Sequence, residues 1–373
     1  MSATAADTIA RPRWRLAVPW RSLLMVGALL VIWVVFSLAT DGTFLLPRNL
    51  SLLARQTSVT AILAVGMVLV IVAGQIDLSV GALAGLMGGL AALAYMSQQW
   101  PLPVAFLAVL VTGAVLGAAQ GSLVAWLRIP PFIVTLGGML LFQGALLGVT
   151  GGVTVSPSRP FLYVGQAYVP VWLGWVIAGA MAVGLIASNA RAGRTRLLSR
   201  VGLAALMLGF TAVMSAYEGI PVPVFIVLAL AGFFSGAAHH TRFGRHLYAI
   251  GGNREAAFYS GINIERHIIG VFTVMGLLSA VAGIVLTARV GAATSDAGRI
   301  MERDAIAAAV IGGTSLMGGQ GTVWGALLGA LVMASLDNGM SLMNTEAFWQ
   351  PIIKGGILVA AVAVDMLGRR TRG

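Results

Sequence analysis

The chain has 373 residues, a formal net charge of +11 and only 9% charged residues, and its mean hydropathy is +0.93. Because a soluble chain carries about 25% charged residues, this composition excludes a soluble globular protein and indicates a polytopic membrane protein. The basic excess lies in Arg clusters between apolar runs, a pattern typical of loops that set membrane orientation and not of nucleic-acid binding.

Two further counts exclude several kinds of chemistry. Cysteine is absent, so the chain has no disulfides, thiol nucleophiles or thiolate metal sites. Lys354 is the only lysine and glycine follows it, so no G-x-x-x-x-G-K-[ST] phosphate loop exists. If ATP drives this protein, another subunit must hydrolyse it.

The N-terminal residues 1–21 are polar and Arg-rich, and the apolar run 22–40 is too long for a signal-peptide core. We expect an uncleaved first span and a cytoplasmic N-terminal segment. Eleven further apolar runs cover residues 59–74, 78–96, 103–127, 132–149, 171–187, 201–217, 222–238, 268–288, 305–316, 323–340 and 352–367. The pattern predicts an all-α transmembrane bundle of about 10–12 helices over residues 22–367, followed by a cytoplasmic tail at 368–373.

Three further features of the sequence concern the number of spans and the path through them. The run 305–316 is short for a span of roughly 20 residues, so we expect it to be re-entrant or tilted. The preceding segment, 289–303, reads as an external loop of mixed charge. Residues 70–85 and 310–325 also share a faint similarity, and duplicated broken segments can mark a substrate path in transporters.

Arg clusters fix the expected orientation. Arg residues crowd residues 191–200, the segment 239–267 and the C-terminal tail. These clusters predict a cytoplasmic location for all three and for both termini. The Gly-, Ser- and Pro-rich segment 150–170 and the turn 218–221 are then external.

The segment 239–267 (HHTRFGRHLYAIGGNREAAFYSGINIERH) is long, polar and of helical composition. Within it, a Gly-Gly break precedes a helix start at Asn253, and a stop follows at Ser260 and Gly261. This predicts a short helix on the membrane surface with Ala256, Ala257 and Tyr259 facing a partner. An interfacial helix that contacts only lipid headgroups is the alternative.

Four polar residues near span ends are candidates for a translocation path. Gln75 and Asp77 form a polar break between two apolar runs, and Asp337 and Asn338 lie near the end of another run. An ionisable group at such a place is costly if it faces lipid. Asp77 could instead cap the following helix, and Asp337 and Asn338 could cap the end of theirs.

Neither a catalytic set nor a metal site is predicted. The four histidines all lie in the segment 239–267, without the carboxylate companions that a metal site would need, and no Ser/His/Asp set shares a location. The sequence therefore predicts no enzyme, no cofactor and no bound metal.

Several blocks resemble the membrane permeases of bacterial monosaccharide ABC importers of the ribose/xylose type. The resemblance is carried by AGQIDLSVGALAG (73–85), IPPFIVTLGGM (129–139), GGNREAAFYSGINIER (251–266) and DAIAAAVIGGTSLMGGQGTVWGALLGALVMASLDNGMSLM (304–343). The ending SLDNGMSLM, the block FWQPIIKG (348–355) and the extra Arg-rich segment with its apolar run at 191–217 are similar to the xylose branch. Gln75 departs from the family, which usually has glycine there.

The resemblance implies a type II-like permease in the bacterial inner membrane that imports a monosaccharide, D-xylose first and ribose or another simple sugar as the alternative. It implies a permease homodimer, a periplasmic sugar-binding protein and a separate ABC ATPase subunit. The family's coupling element for that ATPase matches Gly251, Gly252, Asn253, Glu255, Ala256, Ala257, Ser260, Gly261 and Ile262. A proton-coupled sugar transporter would instead need a carboxylate that titrates in mid-membrane.

The orientation is testable because the chain has no native cysteine. We expect Arg194, Arg245 and Arg370 on the cytoplasmic side, and Ser158 and Glu218 outside. A membrane-impermeant maleimide should label a Glu218→Cys variant from outside in intact spheroplasts. Labelling only after the cytoplasmic face is opened would reverse the topology from the sixth span onward.

Overall fold

The computed structural model describes residues 20–187, 194–346 and 348–370. Most of the predicted N-terminal segment and the last three residues of the tail lie outside these ranges. The α-helices are α1 Trp20–Ala39, α2 Pro47–Val72, α3 Val80–Met96, α4 Leu102–Ala125, α5 Pro131–Thr150, α6 Arg159–Gln166, α7 Val171–Ala187, α8 Arg194–Ser215, α9 Val222–His240, α10 Arg242–Gly252, α11 Arg254–Tyr259, α12 Ile264–Val290, α13 Met301–Ile311, α14 Val323–Leu342 and α15 Trp349–Arg370. A 3₁₀ turn, Thr43–Leu45, and two short strands, β1 Tyr168–Val169 and β2 Ile220–Pro221, complete the described elements.

Each of the twelve predicted apolar runs coincides with a helix, which confirms the all-α bundle. Among the described residues, six helices are long and apolar enough to cross a membrane: α2, α4, α5, α9, α12 and α14. Shorter apolar stretches lie in α1, α3, α7 and α8. Helix α2 starts at Pro47, twelve residues before the predicted run. Its first turns carry polar residues such as Asn49 and Ser51, which are buried inside the bundle. Because these residues are polar, the apolar run in the sequence did not include them.

Helices α2, α3 and α12 form the centre of the bundle, and their side chains are largely buried. Helix α4 packs along α12 through glycines: the backbone of Gly113 lies against Gly276, and Gly117 lies against Phe272. In the same way, Gly88 of α3 lies against Gly283 of α12. Small residues allow this close approach, which is how membrane helices gain packing contacts without a hydrophobic driving force.

The segment between α12 and α13 is not simply an external loop, as the sequence suggested. Ala297 lies against Gly85, and Gly298 lies against Gly81, so these residues are inserted beside α3. Helix α13 begins there and has only eleven residues, about 16 Å of length. Residues 291–311 therefore return through the bundle as a turn-rich segment followed by a half-length helix, which explains the short apolar run.

Helix α6 was not predicted. It lies in the segment that was read as an external loop, and Phe161 on it is fully buried against Phe106 and Tyr95. The local signal was present in the sequence, because Pro160 follows Arg159 in the first turn of the helix, where proline is favoured. The antiparallel pairing of β1 with β2 and the bridge between Val155 and Ala293 join loops near α6.

Candidate functional site

Three side-chain caps shape the polar segment between α9 and α12. The Thr241 hydroxyl accepts the Gly244 N–H at 3.1 Å, Asn253 Oδ1 accepts the Ala256 N–H at 2.9 Å, and Asn263 Oδ1 accepts the Arg266 N–H at 2.9 Å. Each cap satisfies a free donor at a helix start. The predicted helix start at Asn253 is confirmed, and so is the stop, where Gly261 has φ +78°.

The break between α10 and α11 lies at Asn253 and not at the glycine pair. Gly251 and Gly252 complete α10, and Gly251 packs against the backbone of Val72 and Gly319. The Gly319 N–H donates to the Val72 carbonyl at 2.9 Å, and Tyr248 Oη donates to the Gly321 carbonyl at 2.8 Å. Helix α10 therefore contacts both breaks, the one after α2 and the one after α13.

These two breaks belong to the segments 70–85 and 310–325 that share a faint sequence similarity. Each follows a helix, contains glycine with positive φ, and precedes the next helix. The structure brings them into direct contact beneath α10.

Exposure divides the residues of α11. Phe258 is 65% exposed and Tyr259 is 85% exposed, and both rings face away from the bundle. Ala257 is only 3% exposed and belongs to the chain's own core. The expectation that Ala257 faces a partner is therefore wrong in this structure. Gly252, Asn253, Glu255, Ala256, Ser260 and Gly261 are exposed, whereas Gly251 and Ile262 are half-buried.

Two histidines tie α10 to the start of α12. His267 Nδ1 lies 2.6 Å from the Asn263 carbonyl, so it donates there and leaves Nε2 to accept from His246 Nδ1 at 3.0 Å. The pKa of His246 is lowered by partial burial and by the nearby His267, Arg245 and Arg242. Groups of three or more His or acidic residues able to hold a metal are absent from the described part of the chain.

Gln75 and Asp77 are buried in the break between α2 and α3. Gln75 Nε2 donates to the Ala73 carbonyl at 3.2 Å, and Asp77 Oδ1 accepts from the N–H and the hydroxyl of Ser79 at 2.8 and 2.7 Å. Ser79 in turn contacts the buried amide of Gln120. Asp77 is not the N-cap of α3, as the alternative expected: the N-cap residue is Ser79 and has no side-chain capping bond. The Asp77 carboxylate instead binds the Ser79 N–H in the turn before the helix.

Asn338 also has its hydrogen bonds committed within the chain. It exchanges two hydrogen bonds with the Asn49 side chain, at 2.8 and 3.0 Å, and lies 3.4 Å from Gln56 Oε1. Helix α14 continues for four residues beyond it, so Asn338 does not cap a helix end. Asn49 and the Gln75 break lie at opposite ends of α2, roughly 35 Å apart at 1.5 Å per residue. The four candidate path residues therefore form no single site.

An ion triad that the sequence reading missed lies inside the bundle. Lys354 Nζ of α15 is 3.0 Å from both carboxylate oxygens of Asp304 on α13 and 2.7 Å from Asp337 Oδ1 on α14. The side chains of Lys354 and Asp304 are each 16% exposed. A lone lysine in an apolar run needs an anionic partner, and that signal could have located the triad.

Comparisons with known proteins agree with this architecture. The family described as "Branched-chain amino acid transport system / permease component" matches residues 49–362. The chain belongs to this permease family. It is 48% identical to the xylose transport system permease protein XylH of Escherichia coli (strain K12), over 93% of this chain and 92% of the relative.

Other relatives have the same role. The chain is 46% identical to XylH of Haemophilus influenzae, over 93% of this chain and 96% of the relative. It is 37% identical to the ribose import permease protein RbsC of Escherichia coli (strain K12), over 91% of both chains. No solved structure matches the chain significantly. The chain is thus the permease subunit of an ABC sugar importer, a multi-pass protein of the bacterial inner membrane.

The triad generates a stability prediction. Lys354→Met leaves Asp304 and Asp337 inside the bundle without a cation, which we expect to cost about 3–5 kcal/mol because removal of one partner leaves a buried charge uncompensated. Thermal unfolding of the purified permease in detergent measures this as a lowered melting temperature. The matched control is the triple variant Lys354→Met, Asp304→Asn, Asp337→Asn, which should recover most of the loss. A single variant that melts with the native chain would show that the triad does not stabilise the fold.

Proposed function

We propose that this chain carries D-xylose across the inner membrane, with energy from a separate ATPase subunit. The xylose permeases match it at 46–48% identity, whereas the ribose permease matches at 37% and the D-allose permease AlsC at 33%. Ribose or another simple sugar is the second candidate. A secondary sugar transporter is the third, since Asp304 and Asp337 are carboxylates inside the bundle. Their pairing with Lys354 weighs against a proton-carrying role, because both carboxylates already contact a cation of the same chain at 2.7–3.0 Å.

The α10–α11 segment is the proposed docking site for that ATPase. The observation that carries this proposal is the combination of two exposed aromatic rings, Phe258 and Tyr259, on a short helix whose neighbour α10 packs on both chain breaks. Aromatic side chains are favoured anchors at protein interfaces. A push on α11 would reach Val72 and Gly319 through the backbone contact of Gly251, since that contact has no side chain to absorb the movement.

The remaining partners follow from the same proposal. The permease acts as a homodimer with two ATPase subunits on the α10–α11 side and a periplasmic sugar-binding protein on the opposite side. Both termini are then cytoplasmic, in agreement with the Arg clusters. The loops near α6, held by the β1–β2 pair and the Val155–Ala293 bridge, lie on the side proposed to receive the binding protein.

Uptake by the complete transporter tests the transported sugar and the energy source. In proteoliposomes that hold the permease with its ATPase, with the binding protein added outside, we expect ATP-dependent uptake of labelled D-xylose that a protonophore leaves unchanged. Preferential uptake of D-ribose would favour the second candidate. Uptake that needs no ATP and collapses with protonophore would favour a secondary transporter.

The docking surface is tested by Tyr259→Glu. A charge placed in an aromatic contact that loses water on binding should weaken ATPase association by roughly a hundredfold, equivalent to about 3 kcal/mol. The control is Tyr163→Glu on α6, since Tyr163 is 63% exposed and distant in the chain. Pull-down of the ATPase from detergent extract measures both variants. Full association and full uptake with Tyr259→Glu would leave α11 as an interfacial helix.

A further inference from the structure

We propose that a cavity between α5 and the segment 291–300 is a transient binding station for the permeating sugar; this inference rests on the proposed function. The cavity has a volume of about 320 Å³, at the lower end of the range for small-molecule sites. Its polar lining consists of Gln143, Ser295, Asp296 and Arg299.

The lining suits the hydroxyl groups of a monosaccharide. It combines an amide, a hydroxyl, a carboxylate and a guanidinium, so it offers both donors and acceptors at one place. The apolar part is supplied by Leu140, Leu147 and Ala297. Gly144 also lines the cavity, and a Cβ added there would meet no atom within 4 Å, so the glycine leaves open space at this point.

The depth of the cavity argues for a water-filled path. Gln143 lies twelve residues into the candidate span α5, about 18 Å from its start and about 10 Å from its end. The opposite wall is inserted beside α3 through the contacts of Ala297 with Gly85 and of Gly298 with Gly81. The site is therefore away from both ends of the bundle.

Exposed charges support the same conclusion. The Asp296 and Arg299 side chains are 78% and 70% exposed and lie 3.6 Å apart, and the Arg303 side chain is 71% exposed. Charged groups at this depth are costly against lipid and mark substrate pathways. The bundle itself does not cover these three side chains, so they are available to face the proposed path.

None of the residues predicted from the sequence to line the path contributes to the cavity. Gln75, Asp77 and Asn338 are buried and hydrogen-bonded within the chain, and Asp337 is paired with Lys354. A sugar crossing the membrane needs accessible hydrogen-bonding groups. Gln143, Ser295, Asp296 and Arg299 provide them at mid-depth.

Sugar protection of single cysteines tests the station in the complete transporter. Gln143→Cys and Ser295→Cys should react with a maleimide, and saturating D-xylose should slow the reaction by roughly three- to tenfold if one hydrogen-bonded sugar occupies the cavity. Ser158→Cys, exposed near α6, is the control and should react at the same rate with and without sugar. Unprotected cysteines in a complex that still imports D-xylose would overturn the station, and so would cysteines that never react.

A second measurement uses the open space beside Gly144. Gly144→Leu should fill the space and reduce the maximal uptake rate at least severalfold while ATPase association stays intact. Gly179→Leu on α7, where a Cβ also meets no atom within 4 Å, is the matched control and should transport at the native rate. Native uptake by Gly144→Leu would overturn the station. If the native complex imports no sugar, the proposed function itself is contradicted. If D-ribose protects the cysteines and D-xylose does not, the site is retained and the transported sugar is ribose.

Discussion

Direct contact between backbones at glycines is the constraint on which the centre of this bundle depends. Gly113 with Gly276 and Gly88 with Gly283 hold α4 and α3 against α12, and Gly251 holds α10 against the two chain breaks. Such contacts have little compliance, since no side chain can change rotamer to accommodate a shift. Helices joined in this way move together, and a rigid unit of this kind suits a protein proposed to transmit force from one face of a membrane to the other.

Two groups of polar side chains in the described bundle differ in whether they have partners within the chain. Asn49 with Asn338, Asp77 with Ser79, and Lys354 with its two aspartates satisfy one another and join separate helices. The side chains at the α5 cavity are instead open to their surroundings. Hydrogen bonds and ion pairs within the chain therefore distinguish polar residues that stabilise the fold from those able to contact a passing solute. The position of a residue along a span does not make this distinction.

The sequence predicted the helices well because long apolar runs and Arg clusters are local signals. The family, the start at Asn253 and the positive φ of Gly261 were likewise readable from short motifs. Prediction from the sequence failed where the structure depends on contacts between residues far apart in the chain. These are the burial of Ala257, the insertion of Gly298 beside Gly81, and the ion triad of Asp304, Asp337 and Lys354. Polar residues at the start of α2 hid part of that helix, because buried amides and hydroxyls resemble a loop in a hydropathy profile.

The half-buried lysine has a practical consequence for anyone who studies the assembly. Lys354 is the sole side-chain amine of the chain, and its Nζ lies within 3.0 Å of two carboxylates inside the bundle. Amine-reactive cross-linkers act on the neutral, accessible amine, so they will find almost no reactive side chain on this subunit. Cross-linking maps of the transporter that use lysine side chains will therefore omit the permease. The absence of such a cross-link will carry no information about which subunits the permease contacts.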